Sequence, residues 1–236
     1  LNRKIPPLQF LYRDESIFAV NKPSGIHSVA LLKKVGGDSV AELLGAAHPE
    51  LIDVSPNAGD SGLVQRLDFE TSGILIGASS RSIWERLKED LKESSTKKRY
   101  RAVLDGNLLN IQTVTAQLGA RRKGAKKVSV QKHAHEKGYF FPATTIFEPV
   151  QFFEKENCSL VTVTLIGGRR HQIRAHAGSI GYPLVGDSLY GSQKILAELY
   201  PQMMPPFLLH AWKLSIVHPV SGEKLELEAP LPEYFP

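Results

Sequence analysis

At 236 residues and 42% hydrophobic, the chain can bury a core as one domain or as two closely packed subdomains. No apolar run approaches the length of a membrane span, and the opening LNRKIPPLQF has no export signal. The single cysteine, Cys158, rules out an internal disulfide framework or a thiolate zinc cluster, and the net charge of +5 is too modest to name a partner until its placement is considered.

In chain order, LQFLYR (8–13) and SIFAVNK (16–22) are short apolar runs joined at Asp14 and Glu15, which predicts a hairpin. Pro23 and Gly25 then break the pattern into a loop over 22–28. A helix is expected from about 39 to 48, capped by Asp38 or Ser39, followed by a turn-rich stretch over 53–62. GILIGAS (73–79) reads as a buried strand. Over 80–93, Ile83, Trp84, Leu87 and Leu91 fall on one helical face, with Ser82 and Glu85 at capping-box spacing. A strand over 97–106 alternates Tyr100, Ala102 and Leu104 with charged residues. Further strands are expected at 113–118, 127–131, 143–152 and 159–166, with FLLHAWKLSIVHP and KLELEA as a closing pair. Strands predominate and strict βαβ alternation is missing, so the predicted class is α+β with a mixed, largely antiparallel sheet and flanking helices. No linker or repeat divides the chain, and a single catalytic domain over 1–236 is expected.

Charge is concentrated over residues 97–137, where eleven Lys and Arg face only Asp105 and Glu136, a local charge of +9. Such a segment on a mildly acidic body points to a polyanion, against the plainer reading of a solvated loop. Arg121, Arg122, Lys126 and Lys127 are its candidate RNA-backbone contacts.

Two punctuated sites could carry chemistry. VQRLDFETSGIL (64–75) delivers Asp68 beside a Thr-Ser-Gly turn, either as an ordinary turn aspartate or as a reactive carboxylate. Asp68 and Glu70 would face the same way on an extended segment, although an exposed Glu70 is the simpler reading. GGRRHQIRAHAGSIGYPLVGDSLYG (167–191) follows a strand, and a short helix is expected near His171 that places Arg170 and Arg174 on one face and Ile173, Ala177 and Ile180 on the other. A guanidinium beside Asp68 would hold it ionised. His133/His135 and His171/His176 lack matching carboxylates for a metal, no G-x-G-x-x-G opens a helix, and Ser72 sits in no G-x-S-x-G elbow. No metal and no cofactor is expected.

Together these stretches resemble the RluA-like family of RNA pseudouridine synthases. The resemblance rests on Lys22-Pro23-Ser24-Gly25, Arg66-Leu67-Asp68 with Thr71-Ser72-Gly73, Lys98 and Tyr100, and Gly168-Arg169 followed by His171-Gln172-Ile173-Arg174 and His176. It continues through Gly186-Asp187, Tyr190-Gly191, Leu209-His210-Ala211 and His218-Pro219. It implies a mixed sheet with a central catalytic cleft, and Asp68, Tyr100 and Arg174 as catalytic residues, Arg174 being the basic partner of the aspartate. Lys22, Arg66, Leu67, Arg170, His171, Gln172 and Leu209 would bind substrate, with Leu209 lining the uridine pocket. The implied activity turns a uridine of rRNA or tRNA into pseudouridine, in a monomeric cytoplasmic protein that engages no membrane. Many relatives also carry a small N-terminal RNA-binding domain, but the first strands begin almost at once here, and no separate module of that kind is expected. Two positions depart from the family pattern: Gln65 stands where His is usual, and Arg170 where Thr is usual. A non-catalytic RNA-binding module would need the basic stretch without Asp68, and a nucleoside hydrolase would need a second placed carboxylate.

Overall fold

The structure is a computed structural model and describes residues 8–30, 39–57, 59–93, 95–120, 122, 124–131, 133, 135–195 and 207–236. The chain forms two compact units, the first comprising Leu1–Thr96 and Lys213–Pro230, the second Lys97–Trp212 and Leu231–Pro236.

In the first unit, β1 (Gln9–Arg13) and β2 (Ile17–Lys22) form the expected antiparallel hairpin. Asp14 fixes its turn, accepting 2.7 Å hydrogen bonds from the backbone N–H groups of Ser16 and Ile17. β3 (Ser72–Ala78) pairs with β2, β9 (Leu209–Val217) follows β3 in the strand order, and β10 (Lys224–Glu228) pairs antiparallel with β9. Alternation splits the apolar residues between two faces. Ile17, Ala19, Ile74 and Ile76 pack with Leu87 and Leu91, under α2 (Arg81–Asp90). Phe18, Val20 and Leu75 pack with Val40 and Leu44, under α1 (Val40–Ala47). Every residue of β3 is therefore buried. At Gly77 a Cβ would collide with the Phe18 ring, which requires glycine there.

The capping box lies on α1. Ser39 Oγ accepts from the Glu42 N–H at 3.2 Å and donates to its carboxylate at 2.7 Å. Asp38, the other candidate cap, lies outside the described residues. The capping box expected at Ser82 and Glu85 does not form: α2 begins after Ser80, which leaves Ser82 inside the helix, and Glu85 pairs instead with Arg81 at 2.9 Å.

In the second unit the strand order is β9, β4 (Lys97–Asp105), β8 (Cys158–Ile166), β7 (Tyr139–Phe153), β5 (Gln112–Ala120) and β6 (Ser129–Val130). The pairings β4–β8, β8–β7, β7–β5 and β5–β6 are all antiparallel. β7 is longer than expected at both ends, and its irregular register lies between Pro149 and Gln151, where proline removes a ladder donor. β6 shortens to two residues. α3 (Gln172–Ser179) packs Ala175 with Leu118, Val128, Ala143 and Tyr190. The sheet-rich α+β class is as expected.

Candidate active site

In the first unit the candidate site is the loop from Gln65 to Thr71. Asp68 is half-buried, and its carbonyl accepts from the Thr71 N–H at 3.1 Å, closing a turn. That turn removes the extended geometry on which a same-side pairing of Asp68 and Glu70 depended. Glu70 is half-buried, not exposed. Leu67 packs against the core formed with α1, Arg66 is exposed, and Phe69 lies 4.6 Å from the His27 ring.

The loop preceding α1 fixes this turn from below. Lys22 is fully buried, and its ammonium donates to the carbonyls of Pro23 (3.0 Å), Phe69 (3.1 Å) and Thr71 (2.7 Å). Three acceptors match the three donors of a lysine. Ser24 Oγ donates to the Glu70 carbonyl, and Gly25 N–H to that of Phe69 at 2.9 Å. Ser28 Oγ accepts from the Leu67 N–H and donates to the Leu67 carbonyl, both at 2.9 Å. Burial pulls the Lys22 ammonium down to about 7, with Glu70 and then Asp68 acting the other way. Lys22 therefore meets the loop backbone, and the loop is tied at Leu67, Phe69, Glu70 and Thr71, on both sides of Asp68. Gln65 donates to the Ile74 carbonyl at 3.2 Å, a bond that needs no charge.

In the second unit Tyr100 is buried on β4, directly paired with Val163. Leu209 is buried at the start of β9. Arg174 is buried in α3, with Nε 2.6 Å and Nη2 2.9 Å from the two oxygens of Asp187, itself 2% exposed. Its guanidinium lies 4.3 Å from the Phe207 ring centre and 5.3 Å from that of Tyr190. This two-point pairing fixes the plane of the guanidinium.

Arg170 does not share a helical face with Arg174. His171 takes a left-handed φ of 54° and ends the helix register there, so Arg170 precedes α3, is exposed, and donates to the Ala125 carbonyl. Nor does α3 have one apolar face: Gln172 through Ala177 are all buried, while Ile180 is only half-buried. Gln172 donates to the carbonyls of Thr144 (3.0 Å) and Ile166 (3.1 Å), with its Nε2 also 3.2 Å from Thr145 Oγ1, and accepts from the Arg169 N–H. Its amide thereby closes the 167–170 loop onto the sheet. His171 Nδ1 is 2.9 Å from the Tyr190 hydroxyl, which accepts from the Val128 N–H at 3.0 Å. Burial raises the Tyr190 phenol. His176 is fully buried, its Nδ1 2.9 Å from Thr145 Oγ1, and burial lowers it to about 4.

Of the basic segment, Arg122, Lys126 and Lys127 are exposed, and Lys127 Nζ lies 5.1 Å from the Tyr190 ring centre. Arg121 lies outside the described residues. Among the described residues no cluster of three or more His, Cys, Asp or Glu could hold a metal, and no helix is long and apolar enough to cross a membrane. Sequence reasoning did not single out Ser24 and Ser28 as loop ties, nor Asp187 and Tyr190 as partners of Arg174 and His171. The GDSLYG stretch was a visible signal for the second pair, whereas Ser28 is 39 residues from its partner.

Known proteins share this arrangement of sequence. Residues 16–179 match the RNA pseudouridylate synthase family. The dual-specificity RNA pseudouridine synthase RluA of Escherichia coli is 33% identical over 226 residues, which cover 95% of this chain and 94% of that protein. The ribosomal large subunit pseudouridine synthase D of Neisseria meningitidis serogroup A is 32% identical over 96% of this chain, but the match covers only 59% of that protein, under two thirds of its length. Human RNA pseudouridylate synthase domain containing 1 shares the fold, with a TM-score of 0.72 at 23% identity over 95% of this chain and 84% of that one. The family match runs through the Asp68 turn, Tyr100 and Arg174, and the chain belongs to the RNA pseudouridylate synthase family.

Proposed function

We propose that this chain converts a uridine in RNA into pseudouridine, with ribosomal RNA the favoured substrate and tRNA the second. The observation that carries the reading is a family match that includes an aspartate turn tied on both sides. The reaction breaks the N1–C1′ bond, rotates the base and joins C5 to C1′, with the C5 hydrogen released to water. Asp68 acts at the ribose, by attack at C1′ or by removal of a neighbouring proton. Arg174 is the basic member of the proposed catalytic set, and Asp187 fixes its guanidinium plane. The base leaves the RNA stack at a cost of about a few kcal/mol, and Tyr100 packs against the extruded ring. Leu67 and Leu209 keep water from the detached base, which would otherwise be lost to hydrolysis. Lys22 and Gln172 act as positioning residues through the backbone they hold, while Arg66, Arg170 and His171 meet the RNA. The protein works as a cytoplasmic monomer without metal or cofactor.

Release of tritium from C5-labelled RNA tests this directly. Wild type should release tritium and leave pseudouridine in the RNA, and Asp68→Asn should lose turnover by orders of magnitude while still binding RNA. Turnover of Asp68→Asn within tenfold of wild type would refute the assignment. Free uracil would mark a hydrolase, and binding without tritium release a non-catalytic module.

A further inference from the structure

The long β7 carries two aromatic rings past the edge of the core. Tyr139 and Phe141 are 75% and 49% exposed. Side chains alternate along a strand, so these two share one face with Ala143, Thr145 and Phe147. Phe147 pairs with Val163, and Val163 with Tyr100, so Tyr139, Phe141 and Tyr100 project from the same face of this sheet. Near its buried end that face is covered by α3, which packs on Ala143. At Tyr139 and Phe141 it is open.

The surroundings of the open part are cationic. The Arg169 guanidinium lies 4.8 Å from the Phe141 ring centre. β5, which pairs Leu118 with Phe141 and Ala120 with Tyr139, runs on into the segment that carries the exposed Arg122, Lys126 and Lys127. Between Asp105 and Glu136 the sequence contains no acidic residue. Protein interfaces are depleted of lysine at their centres, whereas aromatic rings set among cations suit the bases and phosphates of a single strand.

We infer that Tyr139 and Phe141, with Arg169, form a stacking platform for an unpaired nucleobase that flanks the target uridine. Phe141 stands six positions along β7 from Phe147, in line with Tyr100, or about 20 Å at the usual rise of a strand. The stacked base is therefore a neighbour several nucleotides from the target. This rests on the reading of RNA as substrate and adds a determinant of which unpaired sequence is accepted.

The test uses the whole chain with two probes, a labelled oligouridylate of about a dozen nucleotides and a blunt RNA duplex. Phe141→Ala should weaken oligouridylate binding by about 5- to 150-fold, as loss of one base stack does. Phe141→Trp should restore it. The salt slope should not change in Phe141→Ala, since no phosphate contact is lost, whereas Arg169→Gln should flatten it by about 0.7. Tyr139→Ala, at the more exposed ring, gives a second variant free of any folding defect at Phe141. Unchanged affinity in both alanine variants overturns the platform, as does an equal loss on duplex. Wild-type self-association that disappears in Phe141→Ala also overturns it and makes the patch a contact between copies of the chain. Tritium release by wild type is measured on the same preparation: its absence sinks the isomerase reading alone, because the binding result does not depend on turnover.

Discussion

Lys22→Met isolates the support of the Asp68 turn from the chemistry on it. Methionine keeps the apolar stem and removes the donors to the Pro23, Phe69 and Thr71 carbonyls. The Phe69 carbonyl keeps its bond from Gly25, so two carbonyls lose this buried partner. At about 1–3 kcal/mol for each buried group left unsatisfied, the loss is about 2–6 kcal/mol. Burial acts in the opposite sense. A shift of the ammonium from 10.5 to about 7 corresponds to about 5 kcal/mol against the charged form, and that cost disappears with the charge. The two effects nearly cancel, so unfolding free energy should change by no more than about 3 kcal/mol.

Turnover should not be spared in the same way. The ties removed lie on the Asp68 turn, and a displacement of roughly 1 Å at a reacting group costs about 100-fold in rate. The expected result is a kcat about 100-fold lower with KM little changed, read by tritium release beside urea unfolding. The pH dependence gives a second signature. Between about pH 7 and 10.5 the folded state binds fewer protons than the unfolded state, so wild-type stability rises with pH in that window by about 1.4 kcal/mol per unit. Lys22→Met should lack that rise. A kcat within threefold of wild type, or a loss of activity explained by the unfolded fraction, would refute the reasoning.

Arg174→Met leaves the Asp187 carboxylate buried without its guanidinium and should cost about 3–5 kcal/mol. Adding Asp187→Leu should recover much of that stability in urea melts, yet turnover should stay low if Arg174 belongs to the catalytic set. His176, lowered to about 4 by burial, contributes stability that is complete above pH 6.5 and is lost as pH falls toward 4, about 3 kcal/mol in all. His176→Gln should show a flatter acid limb in unfolding experiments, and an unchanged limb would place the acid sensitivity elsewhere. Replacing Arg122, Lys126 and Lys127 with Gln should flatten the salt dependence of single-strand binding by up to about 2 in log–log slope, with turnover at saturating RNA little altered. An unaltered slope would make the segment a solvated loop.

The strands of the first unit were legible because burial on both faces leaves continuous apolar runs, as in IFAV and GILIGA. The capping boxes were less so. Ser39/Glu42 and Ser82/Glu85 have the same spacing, and only the point where the backbone turns into the helix decides which serine is the cap. The family was legible as a set of motifs in order, among them those around Asp68, Tyr100 and Arg174. The scaffolding of the site was not. The bonds from Lys22 to Phe69 and Thr71 join residues 47 and 49 apart, and no local pattern announces them.

Arg170 shows most directly why local reasoning stops short. Four-residue spacing from Arg174 would place both cations on one face of a continuous helix. The left-handed backbone at His171 breaks that continuity, and non-glycine residues adopt it only when their surroundings hold them. Those surroundings are Tyr190, whose hydroxyl reaches both His171 and the Val128 N–H, and Gln172, whose amide ties the preceding loop to the sheet. The same break turns Arg170 outward to the Ala125 carbonyl and leaves Arg174 inside with Asp187. One backbone angle, held by the neighbouring Gln172 and by Tyr190, 19 residues away, thus separates an arginine exposed beside the basic segment from an arginine buried against a carboxylate.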